Sequence, residues 1–324
     1  MKKGARIGCL AVVAIILLPV LYVVLGGPVK LTTPVMKFLI KVSMGDPTAP
    51  SAADGYEKRL NIPYSQDGDP AKVLDVYYAG KENRKDAVLV DIHGGFYIAG
   101  QKEGNRNIAA VFLEKGYDVV LIEYRLNDGV RDVSDELSDC AEALDYLACN
   151  AGELGLNKDR CFLTGDSAGG HLALYLAEGA SSEALPVRPE VFSAAGVLLN
   201  CPAYDFASFG DADMYSDGFK KWFIGPRFDD RDYLKTLSPR TFLRELRVPL
   251  FVSTCTNDSI RSQSLLLKED CDSIGMDIKF VDIASEDKGV GHIHNVTAPD
   301  LPESQEVNGA MMEFMDAVID DSVK

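Results

Sequence analysis

Apolar and polar positions divide the chain into a long alternation of short apolar runs and helical stripes. Ala87 to Ile92, Tyr117 to Ile122, Arg160 to Thr164, Phe192 to Asn200 and Val248 to Thr254 are apolar runs of strand length. An Ala87–Ile92-type run has no polar alternation, which marks a strand buried on both faces. Tyr56 to Pro63 and Val73 to Ala79 read as a strand pair joined at Gln66 to Pro70, and Asp277 to Ile283 as a last strand. Between them, apolar residues recur at helical spacing over Asn105 to Lys115, Ser134 to Cys149, His171 to Glu178, Ser262 to Ile274 and Ser304 to Ile319. Strands alternating with helices predict an α/β fold, a mostly parallel sheet covered on both sides. Reactive groups then belong on loops at the carboxyl ends of strands.

Two stretches break the alternation. Residues 202 to 247 are rich in aromatics and charges, among them Tyr204, Phe206, Phe209, Tyr215, Phe219, Trp222, Phe223, Phe228, Tyr233 and Phe242, and contain no clean strand. They predict an inserted helical cap. At the amino end, Ile7 to Leu25 carries no charge and follows Lys2, Lys3 and Arg6. This segment, within residues 1–27, is expected to be a membrane anchor or a signal. Val24 to Gly27 is a poor cleavage site, so an uncleaved anchor is the expectation, with the body extracytoplasmic; secretion after cleavage is the alternative. Residues 28–55 read as a linker, with Pro34 to Val42 a stalk or interfacial helix, and residues 56–324 as one domain.

The chain has 324 residues, 47% of them hydrophobic, enough for a sizeable core. The net charge is −16, and Lys2, Lys3, Arg6, Lys30, Lys37 and Lys41 face only Asp46 among the acids up to residue 46, so the excess acid lies in the body. An acidic body excludes the basic surface that nucleic acid requires. Seven cysteines read as small core residues, with disulfides open and their pairing undetermined by spacing. Asn257-Asp258-Ser259 and Asn295-Val296-Thr297 match the glycosylation pattern but crowd the chemistry described next.

That chemistry starts at Gly165-Asp166-Ser167-Ala168-Gly169-Gly170, between an apolar run and a helical stripe. A turn this sharp excludes side chains beside the serine and exposes Ser167 over the positive end of the next helix. A serine hydroxyl needs a base, and the base needs an orienting group. Of the four histidines, His171 lies on the helix after the serine and reads as a packing or hydrogen-bonding residue. His292 and His294 lie after the last strand, where either can serve. The pair also resembles two ligands of a metal site, but no third or fourth ligand matches, so neither a metal nor a cofactor is expected. Asp258 is the expected acid because it follows a strand beside the histidine loop; Asp205, Glu286 and Asp287 are its rivals. His93-Gly94-Gly95-Phe96 supplies a loop whose N–H groups at Gly94, Gly95 and Phe96, with that of Ala168, suit an oxyanion hole.

With these stretches, and with Glu123-Tyr124-Arg125-Leu126, Asn257 to Gln263 and Gly291-His292, the chain resembles the hormone-sensitive-lipase-like carboxylesterases of the α/β-hydrolase fold over most of residues 56 to 320. The resemblance implies Ser167 as nucleophile, Asp258 as acid and His292 as base, with the oxyanion donors at Gly94 to Phe96 and Ala168. Members of the group often carry a third glycine where Phe96 stands. The expected activity is cleavage of small-molecule carboxylic esters through an acyl-enzyme. An amidase or formamidase with the same triad, or a non-catalytic membrane-tethered binding domain, are the alternatives. Oligomeric state is not encoded in these patterns.

Overall fold

The computed structural model describes residues 49–128, 130–208, 224–225 and 227–321. The anchor or signal expected at 7–25, and the stalk at 34–42, lie outside the described residues. Among the described residues no helix is long and apolar enough to cross a membrane.

Eight strands form one sheet in the order β1-β2-β4-β3-β5-β6-β7-β8. They are β1 (Glu57–Pro63), β2 (Val73–Tyr78), β3 (Val88–Ile92), β4 (Asp118–Ile122), β5 (Cys161–Asp166), β6 (Gly196–Asn200), β7 (Leu250–Cys255) and β8 (Ile278–Ile283). The first two pairings, β1 with β2 and β2 with β4, are antiparallel; all others are parallel. The continuous apolar runs are explained by burial: every residue of β3 to β7 is buried. Val88, Val90 and Ile92 point into one core and Leu89 into the other, as strand pleating requires. Each fully buried aliphatic side chain of this kind contributes about 1.5–3 kcal/mol.

Helices cover both faces. Val133–Leu154 (α2) and Ala168–Gly179 (α3) pack into one core, with Arg261–Ile274 (α6). Arg106–Glu114 (α1) and Pro302–Asp321 (α8) pack into the other. The long α2 begins on Asp132, whose side chain and that of Asp135 cap each other's backbone N–H groups, and ends on the left-handed Gly155. The described part of the expected cap at 202–247 holds two short α-helices, Arg231–Leu237 (α4) and Pro239–Phe242 (α5), and a 3-10 turn at Leu243–Glu245; residues 209–223 and 226 lie outside the description. Tyr204 and Phe206 are buried in the main core, so these two aromatics are not part of a separate cap interior.

The strand order fixes where chemistry can occur. β3 has β4 on one side and β5 on the other, so the chain reverses its direction of winding between them. Loops leaving the carboxyl ends of β3 and β5 therefore part and open a crevice. The turn His93 to Tyr97 leaves β3, and Ser167 leaves β5.

Candidate active site

Ser167 joins β5 directly to α3 with φ 55° and ψ −116°. A residue with a β-carbon is strained there by about 1–3 kcal/mol, and its surroundings must hold it. They do so through the last residue of β6 and the segment after it. The Ser167 N–H donates to the Asn200 carbonyl at 2.9 Å, and the Ser167 carbonyl accepts the Ala203 N–H at 3.1 Å. A β-carbon at Gly169 would overlap the Ile92 carbonyl oxygen and stand 2.6 Å from that of His93, so α3 lies directly against the end of β3. Ala168 opens α3, and its N–H is among the first four of the helix, which lack intrahelical acceptors.

The turn after β3 faces this helix start. Gly95 has φ +132°, and a β-carbon there would overlap the Ala99 carbonyl. Its own carbonyl accepts the N–H groups of Ile98 and Ala99 at 3.3 and 3.0 Å, and Phe96 and Tyr97 both take positive φ. The Gly94 N–H donates to Asp166 Oδ1 at 3.2 Å. It is therefore engaged beneath the turn. His93 is fully buried, stacked on Tyr124 with ring centroids 4.4 Å apart. Both ring nitrogens face acceptors, Nδ1 the Gly94 carbonyl at 2.8 Å and Nε2 Glu123 Oε1 at 3.3 Å. Burial alone would lower the His93 pKa, but Glu123 outweighs it and the net shift is upward. A doubly protonated ring satisfies both contacts.

Asp258 and His292 meet across two loops. His292 Nδ1 lies 2.6 Å from Asp258 Oδ1, which also accepts the Ile260 N–H at 3.0 Å; Oδ2 accepts the Thr254 hydroxyl at 2.8 Å. Burial would raise the Asp258 pKa, yet His292 and these donors outweigh it and keep the carboxyl below its ordinary value. The Asn257 amide donates to the carbonyls of Ser285, Asp287 and Val290, and so fixes the loop that carries His292. Ile293 turns through φ 53°, and its N–H donates to Cys201 Sγ at 3.4 Å. The strained serine and the histidine loop thus hang from adjacent residues: Ser167 from Asn200, the loop from Cys201.

His294 takes a different place. It is buried at the start of a short helix, His294–Thr297 (α7), with Nδ1 3.1 Å from the Gly291 carbonyl, and burial lowers its pKa. Of the two candidate bases left open by the sequence, only His292 contacts Asp258. His294→Ala should leave kcat on a small ester within about ten-fold of wild type while lowering stability by about 1–3 kcal/mol, the range for a buried residue removed from packing. Parallel kinetics and urea denaturation would check this. Among the rival acids, Asp205 pairs with Arg240 at 3.0 Å and Asp287 accepts the Gly289 N–H. His171 bonds through Nε2 to the Leu237 carbonyl at 2.7 Å, and burial lowers its pKa to about 4. It is the packing residue that its position suggests.

Cys201, Asp258 and His292 bring one potential ligand atom each within 4.8 Å of one another. Burial and the Asp258 charge keep the Cys201 thiol protonated, and His292 Nδ1 already faces Asp258. The donor set fits a hydrogen-bonded acid–base pair better than a metal cradle, which needs the thiolate. The described cysteines are all free, and only Cys149 among them is exposed.

Both glycosylation patterns fall on engaged asparagines. Asn295 is buried, and its amide donates to Asn200 Oδ1 at 2.8 Å and Asn308 Oδ1 at 3.1 Å; Asn308 of α8 returns a bond to the Asn295 carbonyl. Asn200 Oδ1 also accepts the Ser253 hydroxyl at 3.0 Å. This polar network under the site was not readable from sequence, nor were Asp91 and Asn105, which lie beside Asp166.

A mostly parallel eight-stranded sheet with helices on both faces, and a strained serine between strand and helix at its switch point, defines an α/β-hydrolase. The BD-FAE family profile matches residues 74–270, and the chain belongs to that family of carboxylesterase-type α/β-hydrolases. It is similar to carboxylesterase NlhH of Mycobacterium tuberculosis, 25% identical over 237 residues that make up 70% of each chain. It is also similar to a probable isoprenylcysteine alpha-carbonyl methylesterase of Arabidopsis thaliana, 30% identical over 115 residues. That stretch spans 36% of this chain but only 26% of the methylesterase. Among solved structures, esterase B from Lactobacillus rhamnosus aligns with a TM-score of 0.77 and 26% identity over 90% of this chain and 97% of its own.

Proposed function

We propose that the chain is a serine carboxylesterase that works through an acyl-enzyme. The observation that carries this reading is the 2.6 Å contact of His292 Nδ1 with Asp258, on a loop tied to the residue beside the one that holds Ser167. Asp258 keeps the imidazole proton on Nδ1, leaving Nε2 as acceptor for the Ser167 hydroxyl proton. Ser167 Oγ attacks the ester carbonyl, and the N–H groups of Gly95, Phe96 and Ala168 receive the oxygen as it gains charge. Collapse expels the alcohol, which takes its proton from His292. Water then repeats the sequence on the acyl-serine and releases the acid. Esters are favoured over amides because the similar proteins are esterases.

The test is covalent. Esterase B of Lactobacillus has been solved with a tributyrin phosphonate inhibitor, a class of reagent that captures an activated serine. A fluorophosphonate probe should label the purified protein, and Ser167→Ala should remove the label. Labelling that survives this substitution would refute the reading. A panel of matched esters and anilides then reads the leaving group, with faster turnover expected on the esters.

A further inference from the structure

Beneath the turn after β3 lies a pair of carboxyl groups that the mechanism above does not use. Asp91 on β3 and Asp166 at the end of β5 sit on paired neighbouring strands, and both are buried. One amide nitrogen, Nδ2 of Asn105, donates to Asp91 Oδ2 and to Asp166 Oδ1, each at 2.8 Å. Asp166 Oδ1 also takes the Gly94 N–H. Asp166 Oδ2 has no hydrogen-bond partner and faces Gly94, where an added β-carbon would overlap it.

The charged and titratable neighbours are few. His93 acts on both carboxyls from the turn, though Glu123 already pairs with it. His292 acts on Asp166 from the base loop, and the Tyr124 hydroxyl, on the far side of His93, feels the Asp166 charge. Two carboxylates so enclosed cannot both ionise. The two N–H donors and two imidazoles on Asp166 favour the charge there. Asp91 has one N–H donor, the Asn105 amide, and one imidazole, and is the better holder of the proton.

We propose that Asp91 is a positioning residue for the oxyanion turn: held as a neutral acid, it lets the Asp166 anion fix the Gly94 N–H, and losing its proton releases that turn. The proposal rests on reading Gly95, Phe96 and Ala168 as the oxyanion donors. Asp91 acts through Asp166 and Gly94 and touches no substrate.

Asp91→Asn keeps the shape and makes the neutral state permanent. Burial, then the Asp166 charge, raises the Asp91 pKa. A carboxyl raised in the folded state contributes stability that is complete below its ordinary value near 4 and is lost as pH rises through the folded pKa. Urea denaturation of wild type and Asp91→Asn from about pH 5 to 9 should therefore show a gap that widens with pH in favour of the variant. Over the same range, wild-type kcat on a small ester should fall on the alkaline side at nearly constant KM, because oxyanion donors act in the transition state. Asp91→Asn should lack that fall. A stability gap independent of pH, or the same alkaline limb in both proteins, would overturn the proposal, as would a wild-type kcat flat to the alkaline end should the variant not fold. The stability arm involves no catalysis, so its result stands apart from the fate of the Ser167 reading.

Discussion

Ser167→Ala, His292→Ala and the double variant should each turn over a small ester about 10^6-fold more slowly than wild type, with no further loss when the two changes are combined. The reason is that neither residue is competent alone. A serine hydroxyl without a base remains a weak nucleophile, and a base without the hydroxyl has no proton to move. Asp258→Asn should cost about 10^4-fold, since it misplaces the imidazole proton but leaves both reacting atoms. The Thr254 hydroxyl and the Ile260 N–H, which now both donate to Asp258, would be left facing an amide. All variants should keep wild-type secondary structure, and their residual rates should remain above the reaction in water because the backbone donors persist. Rate losses that multiply in the double variant would mean that the two residues act independently, and a shared proton transfer would be ruled out.

Gly169→Ala should yield little or no folded protein. Its β-carbon would overlap the Ile92 carbonyl oxygen and crowd that of His93, and both atoms belong to backbone. Neither can move without shifting the carboxyl end of β3, whose pairing with β5 runs through Ile92 and Gly165. A domain stable by about 5–15 kcal/mol has little margin for such a change. Gly309→Ala on α8 is the control: nothing lies within 4 Å of an added β-carbon there, and the gain in helix propensity over glycine is about 1 kcal/mol. Soluble yield and thermal midpoints of the two variants check the contrast. Equal behaviour would show that α3 does not need the close approach at Gly169.

The elements that were plain in the sequence are those whose burial is uniform. β3, β4, β5 and β7 are buried throughout, so each shows as an unbroken apolar run. The run from Phe192 misleads because β6 begins only at Gly196. The N–H groups of Glu190, Val191 and Phe192 donate to the Asp145 carboxylate on α2 instead of to a strand. Helix α3 starts three residues ahead of its apolar stripe, since Gly169 and Gly170 are chosen for close approach and not for helix propensity. α2 continues to Leu154, past the expected Cys149.

The members of the proposed triad were named in the sequence by type and order: Ser167, Asp258, and a histidine in the last loop. The spacing left His292 and His294 open and only the resemblance chose His292, because the difference between them depends on the left-handed turn at Ile293 that sends the two rings apart. The engagement of Gly94 was equally hidden, since its partner Asp166 arrives from a different strand. Asp91, Asn105, Asn200 and Asn308 carry no local pattern. They matter because folding brings together positions remote in the chain.

The asparagine network beneath the site has a mechanical side. Asn308 on the carboxyl-terminal helix grips Asn295, Asn295 grips Asn200, and the Asn200 carbonyl holds the Ser167 N–H. Three side chains and one backbone bond therefore link that helix to Ser167. If Ser167 is the nucleophile as proposed, a protease nick, a fusion that pulls α8 aside or a force probe attached beyond it should lower turnover before the sheet unpairs.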